Sequence, residues 1–111
     1  MNNIEQLVIE KLKTINDLEL PVSIYELGLI YKTSIENTND KIQVNIEMGT
    51  INSSYSDQKS ITYLINSAIT SIKEVDECNI KFVFTPKWEL SMVSEVGLET
   101  LRNSHSLNYQ M

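Results

Sequence analysis

The stretch LIYKTSIENTNDKIQVNIEM, residues 29–48, decides how this chain folds. Within it Leu29, Tyr31, Thr33 and Ile35 alternate with Ile30, Lys32 and Ser34, and Ile42, Val44, Ile46 and Met48 alternate with Gln43, Asn45 and Glu47. A period of two places successive side chains on opposite faces of a strand. Asn37 to Asp40 supplies turn residues between the two runs, so the stretch reads as an antiparallel hairpin with one face to bury.

Upstream, Ile4, Leu7, Val8, Leu12 and Ile15 recur at helical spacing, with Asn2 and Asn3 as caps and Glu5 and Gln6 in the first turn. Pro21 stops any continuation, and Asp17 to Gly28 reads as a loop holding one short turn. Downstream, Ile61, Leu64, Ile65, Ala68, Ile69 and Ile72 fall on one face of a long helix, with Ser54 and Asp57 in capping-box spacing and Ser56 as a competing cap. Ile80, Phe82 and Phe84 alternate with Lys81 and Val83 in a third strand that ends at Pro86. Beyond Trp88, the residues Leu90, Val93, Gly97 and Leu101 line a last helix. Residues 1–103 then form a single domain and residues 104–111 a polar tail. The order α-β-β-α-β-α implies an α+β fold, a two-layer sandwich whose three-stranded sheet is covered on one face by the first two helices. The crossover from strand two to strand three through the long helix is right-handed if those strands are parallel, and the strand order stays open.

The composition narrows the function. The chain has 111 residues, 15 acidic against 9 basic, and a net charge of −6. Such a surface repels phosphate backbones, which argues against autonomous nucleic-acid binding, and it favours a larger protein partner with a basic surface. A homodimer is also left open. Cys78 is the only cysteine and His105 the only histidine, so neither an internal disulfide nor a zinc site built on these two alone is expected. A single unpaired cysteine suits a reducing cytoplasm. The three glycines form no phosphate-binding loop, no apolar run is long enough to span a membrane, and no export signal is visible at the N-terminus. Catalytic residues, metal and cofactor are therefore not expected.

Three places could carry function. The segment GTINSSYS, residues 49–56, joins a strand end to a helix N-terminus, where free N–H groups and the helix dipole favour anions; its hydroxyls also serve as plain caps. Asp17 and Glu19 put two carboxylates into one loop, where Asp17 also suits a turn cap. Trp88 with Met92 either closes one end of the core or offers a protein-binding anchor. Cys78 lies close to Glu74, Asp76 and Glu77, acids that raise a thiol pKa, and is expected to be unreactive or solvent-facing.

Taken together, NDLELPVSIYELGLIYK (16–32), VNIEMGT (44–50) and FVFTPKWELSM (82–92) resemble the small iron-sulfur-cluster assembly domain family, which includes the bacterial SufT and PaaD proteins and the eukaryotic cytosolic iron-sulfur targeting factors. The resemblance spans about residues 4–101 and implies a two-layer α/β fold of the order derived above. The family's Asp-Pro-Glu is Asp17-Leu18-Glu19 here. The family's cysteine after strand two falls on Tyr55, with Ser56 in place of the following proline. A phenol or serine hydroxyl is a poor iron ligand beside a thiolate.

Two readings follow. In the first, the chain is a non-catalytic accessory or adaptor subunit that binds a larger protein, such as a nucleic-acid-processing enzyme, through Ser54, Tyr55, Ser56, Asp17, Glu19, Trp88 and Met92. The alternative is an auxiliary factor in iron-sulfur cluster assembly or in the maturation of iron-sulfur proteins. The missing thiol favours the first. A hydrolase or transferase using Asp17 and Glu19 ranks last.

Overall fold

The computed structural model describes residues 2–51 and 55–109, with side chains over 3–51 and 57–104. Its elements follow the order α1 (Asn2–Leu12), β1 (Ile30–Thr38), β2 (Lys41–Met48), α2 (Tyr55–Thr70), β3 (Glu77–Phe82), a 3-10 turn over Leu90–Met92, and α3 (Glu95–Tyr109). This is the α-β-β-α-β-α succession of an α+β domain. The sheet order is β1-β2-β3, with β1 and β2 antiparallel and β2 and β3 parallel.

The hairpin turn is tighter than the composition of Asn37 to Asp40 implies. Both strands run to a two-residue connection, Asn39-Asp40, whose φ values of 54° and 64° define the left-handed turn that matches strand twist. Asn and Asp tolerate that region better than other residues with a Cβ. A second irregularity resets the alternation of β1. Ile30 pairs with Met48 and Lys32 with Glu47, so Tyr31 is an extra residue in a bulge. As a result Ile30, Thr33 and Ile35 share the face of Val44, Ile46 and Met48, and β3 adds Cys78, Ile80 and Phe82 to it. The opposite face is polar: Gln43 and Asn79 both donate to the Asn45 side-chain carbonyl, at 2.8 and 3.3 Å.

The apolar face meets α1 and α2. Val8 and Leu12 from α1, Ile61, Ile65 and Ile69 from α2, Ile72 from the turn that follows it, and Val44, Ile46 and Met48 from the sheet are all buried in one core. Burying these aliphatic side chains at roughly 1.5–3 kcal/mol each is the main term holding the layers together. Leu64, expected on the buried stripe, is instead 40% exposed, because Ile61, Ile65 and Ile69 already define the line of contact one residue round the helix. Phe84 is likewise 67% exposed. β3 stops at Phe82, opposite Met48, the last residue of β2, so Phe84 has no neighbouring strand.

The segment before β1 is a closed loop with its own hydrogen bonds. Asp17 N–H donates to Val22 O at 2.9 Å and Ile24 N–H to Ile15 O at 2.8 Å. One helical turn then runs from Ser23 to Gly28, with Ser23 Oγ accepting the Glu26 N–H and Gly28, at φ 78°, ending it. Gly28 is required twice over, since a Cβ there would also lie 2.9 Å from the carbonyl carbon of Met92. Ser94 then ties α3 to this turn: its N–H donates to Glu26 O, its hydroxyl donates to the Glu26 carboxylate and accepts the Gly97 N–H. From that cap α3 continues to Tyr109, so residues 104–109 extend a helix where the sequence suggests a tail. Thr100 and Leu101 sit within it, and no proline or glycine follows Gly97 to end it.

Candidate functional site

The structure brings two of the three sequence candidates to one place. At the end of the sheet where β2 stops, Met48, Gly49, Thr50 and Ile51 face the Asp17-Leu18-Glu19 loop and the first turns of α2 at Asp57, Gln58 and Ile61. Ile24, Leu29 and Phe82 complete the wall of a cavity of about 40 Å³. That is room for one or two water molecules, so the opening is a shallow surface feature and no enclosed small-molecule site. Its rim is apolar, with Leu18 44% and Ile51 36% exposed.

Asp17 is a turn cap. One carboxylate oxygen, Oδ2, accepts the N–H groups of Glu19 and Leu20 at 2.9 and 3.0 Å and so shapes the loop. Glu19 is exposed. Ser54 lies outside the described residues, and Tyr55 and Ser56 are placed only as the first backbone positions of α2. Among the described residues no cluster of three or more His, Cys, Asp or Glu is arranged to hold a metal ion.

Gly49 fixes the loop after β2. A Cβ there would lie 2.7 Å from Cζ of Tyr31, so only glycine lets the bulged Tyr31 ring lie against the backbone. The Tyr31 hydroxyl donates to Pro86 O at 3.0 Å, and burial raises its pKa.

Trp88 and Met92 lie apart from the cavity. Trp88 is half buried against the core and its Nε1–H donates to Leu27 O at 2.7 Å, while the Met92 backbone crosses Gly28. They brace the 23–28 turn, which is joined through Leu29 to the cavity wall. The sequence reading missed Leu18, Ile51 and Phe82 as neighbours of the carboxylate loop. The available signal was an apolar residue between two carboxylates, Leu18, and another, Ile51, in the polar loop after β2.

Cys78 stands on the core face of β3, buried, with its carbonyl oxygen taken by the Asn66 side chain at 2.9 Å. Burial pushes its thiol up to about 11. The adjacent acids are not the cause: Asp76 turns its carboxylate to the Ile42 N–H at 2.8 Å, and Glu77 sits on the polar face. The cysteine is therefore enclosed by the core and does not face solvent. In the pairing of β2 with β3, Cys78 sits opposite Val44, four residues along the strand from the Met48 end.

The sequence and overall fold of this chain are matched by known proteins. The family described as "Iron-sulfur cluster assembly protein" matches residues 5–82, and the chain belongs to it. A relative from Porphyromonas gingivalis described as an Fe-S protein maturation auxiliary factor is 30% identical over 94 residues, covering 85% of this chain and 87% of that one. A conserved hypothetical protein of Thermotoga maritima superposes with a TM-score of 0.70 at 25% identity, over 91% of this chain and 92% of that one. A Mycobacterium tuberculosis protein described as associated with Fe-S complex assembly and repair gives 0.54 at 23% identity, over 90% and 82%, and at that identity speaks for the fold alone. Membership places the iron-sulfur reading ahead of the general adaptor reading, which rested on the missing thiol and the net charge. No helix among the described residues is long and apolar enough to cross a membrane.

Proposed function

We propose that this chain is a non-catalytic auxiliary factor in the maturation of iron-sulfur proteins, acting in the cytoplasm by docking to an assembly protein or a client apoprotein. The cluster is cargo and its thiolate ligands come from the partner. The observation that carries the reading is the position of Cys78: the chain's one thiol is enclosed in the core, while Tyr55, at the start of α2, stands where the family resemblance places a cysteine. What remains at that end of the sheet is a docking rim, Leu18 and Ile51 around a shallow apolar cavity, flanked by Asp17 and Glu19. A net charge of −6 suits a basic partner surface, chiefly through faster encounter.

Deletion of the coding sequence in its native host tests this. Activities of iron-sulfur enzymes are expected to fall while enzymes without clusters keep theirs, and the wild-type chain restores them. Rescue by Tyr55→Cys no better than by wild type is expected, since the reading does not need a thiol there. Unchanged cluster-enzyme activities in the deletion strain would overturn it.

A further inference from the structure

The outer edge of the sheet is complementary to itself. In a parallel ladder alternate residues turn both backbone groups toward the neighbouring strand. The register, with Val83 N–H bonded to Met48 O at 2.8 Å, gives β2 the groups of Asn79 and Lys81, and leaves those of Cys78, Ile80 and Phe82 on the free side. Asn66 of α2 marks that side by reaching the Cys78 carbonyl, which keeps a second lone pair. Beside the edge lies an open groove of about 520 Å³, lined by Thr62, Tyr63, Asn66, Ser67, Ile80 and Phe82 among others. Tyr63 is 72% exposed there, and Lys59 is the one charged residue among the described residues of the lining. In a chain that is 22% charged, this is a nearly neutral strip.

The charges on β3 select the occupant. Glu77, Asn79 and Lys81 occupy alternate positions on the polar face. We propose that β3 pairs antiparallel with β3 of a second copy of this chain, about a two-fold axis at Asn79, to give one continuous six-stranded sheet. In that register Glu77 lies opposite Lys81 of the second copy, twice by symmetry, and Cys78 faces Ile80 on the core side. Moving the axis to Cys78 or Ile80 puts both charges opposite neutral residues, so the charge pattern favours the Asn79 register. The two α2 helices then flank the axis on the helical layer and cover each other's neutral strips. Opposite charges across an antiparallel pair stabilise it and like charges oppose it, and a closed two-fold contact consumes both edges.

Sedimentation equilibrium of the full chain is the test. The wild type is expected to dimerise reversibly. Glu77→Lys and Lys81→Glu each set like charges opposite one another twice, and each is expected to weaken self-association by about tenfold or more. Both positions are exposed, so folding should be preserved, and circular dichroism checks it. In a mixture of the two variants, the introduced lysine of one chain meets the introduced glutamate of the other, and the native Lys81 of the first meets the native Glu77 of the second. Opposite charges then face each other at both places, and a heterodimer is expected to form. A wild type that stays monomeric at millimolar concentration, charge reversals without effect, or a mixture that stays monomeric would each overturn the proposal.

Discussion

The ring of Tyr31 lies against the backbone of Gly49, so close that a Cβ at position 49 would sit 2.7 Å from Cζ and 3.1 Å from Cε2. This contact joins the β1 bulge to the loop that leaves β2 for α2, and it sets the path of that loop toward the docking rim. Gly49→Ala should therefore push Tyr31 out of place. A loss of about 1–3 kcal/mol is expected in urea unfolding, as for overpacked sites. Combining it with Tyr31→Ala should recover part of that loss, because the two changes share one contact.

Cys78 gives a pH dependence of known sign. Its folded-state pKa is raised from 9.0 to about 11 by burial. Between those values the unfolded chain gives up a proton that the folded chain keeps, so stability is full below about pH 9 and falls as pH rises toward 11. Tyr31, also raised by burial, acts in the same direction at alkaline pH. Denaturant melts from neutral pH up to the raised value of about 11 should show this decline, and Cys78→Ala should flatten it at some cost in absolute stability. A thiol reagent at mildly alkaline pH should label the wild type only after unfolding.

Asp17 separates a structural carboxylate from a catalytic one. Its Oδ2 accepts two backbone N–H groups, a task that the amide oxygen of asparagine can also perform. Asp17→Asn is expected to fold and to rescue a deletion strain, whereas Asp17→Ala should lose about 1 kcal/mol through the unsatisfied turn. Loss of rescue in the asparagine variant, with stability intact, would point to acid-base chemistry instead.

Much of the fold was legible because the apolar spacing is strong where the core is. The alternation in residues 29–48 and the isoleucines at 61, 65, 69 and 72 mark the elements that meet in the core. The errors fall where one residue's placement depends on a distant segment. Tyr31 enters a bulge because it packs on Gly49. Phe84 loses its strand because β2 ends at Met48, and Leu64 is exposed because the stripe beside it already fills the contact. Strand order was not legible, since the pattern does not say which edge of the hairpin receives β3. At the site, Asp17 and the loop after β2 were each visible as polar segments. Their meeting was not, because it depends on the 15–24 loop folding back through the pairing of Asn16 with Ser23. The burial of Cys78 was missed because its sequence neighbours are acids that turn away from it.

The docking rim is the centre of the functional account. Leu18 and Ile51 are exposed, so aspartate at both positions should leave the core intact while removing an apolar contact that a partner would cover.

The most direct measurement is iron-sulfur enzyme activity in the deletion strain carrying either the wild-type chain or the Leu18→Asp/Ile51→Asp variant at equal, folded abundance. Restoration by the wild type and failure of the variant is the expected result; restoration by both would contradict the docking account.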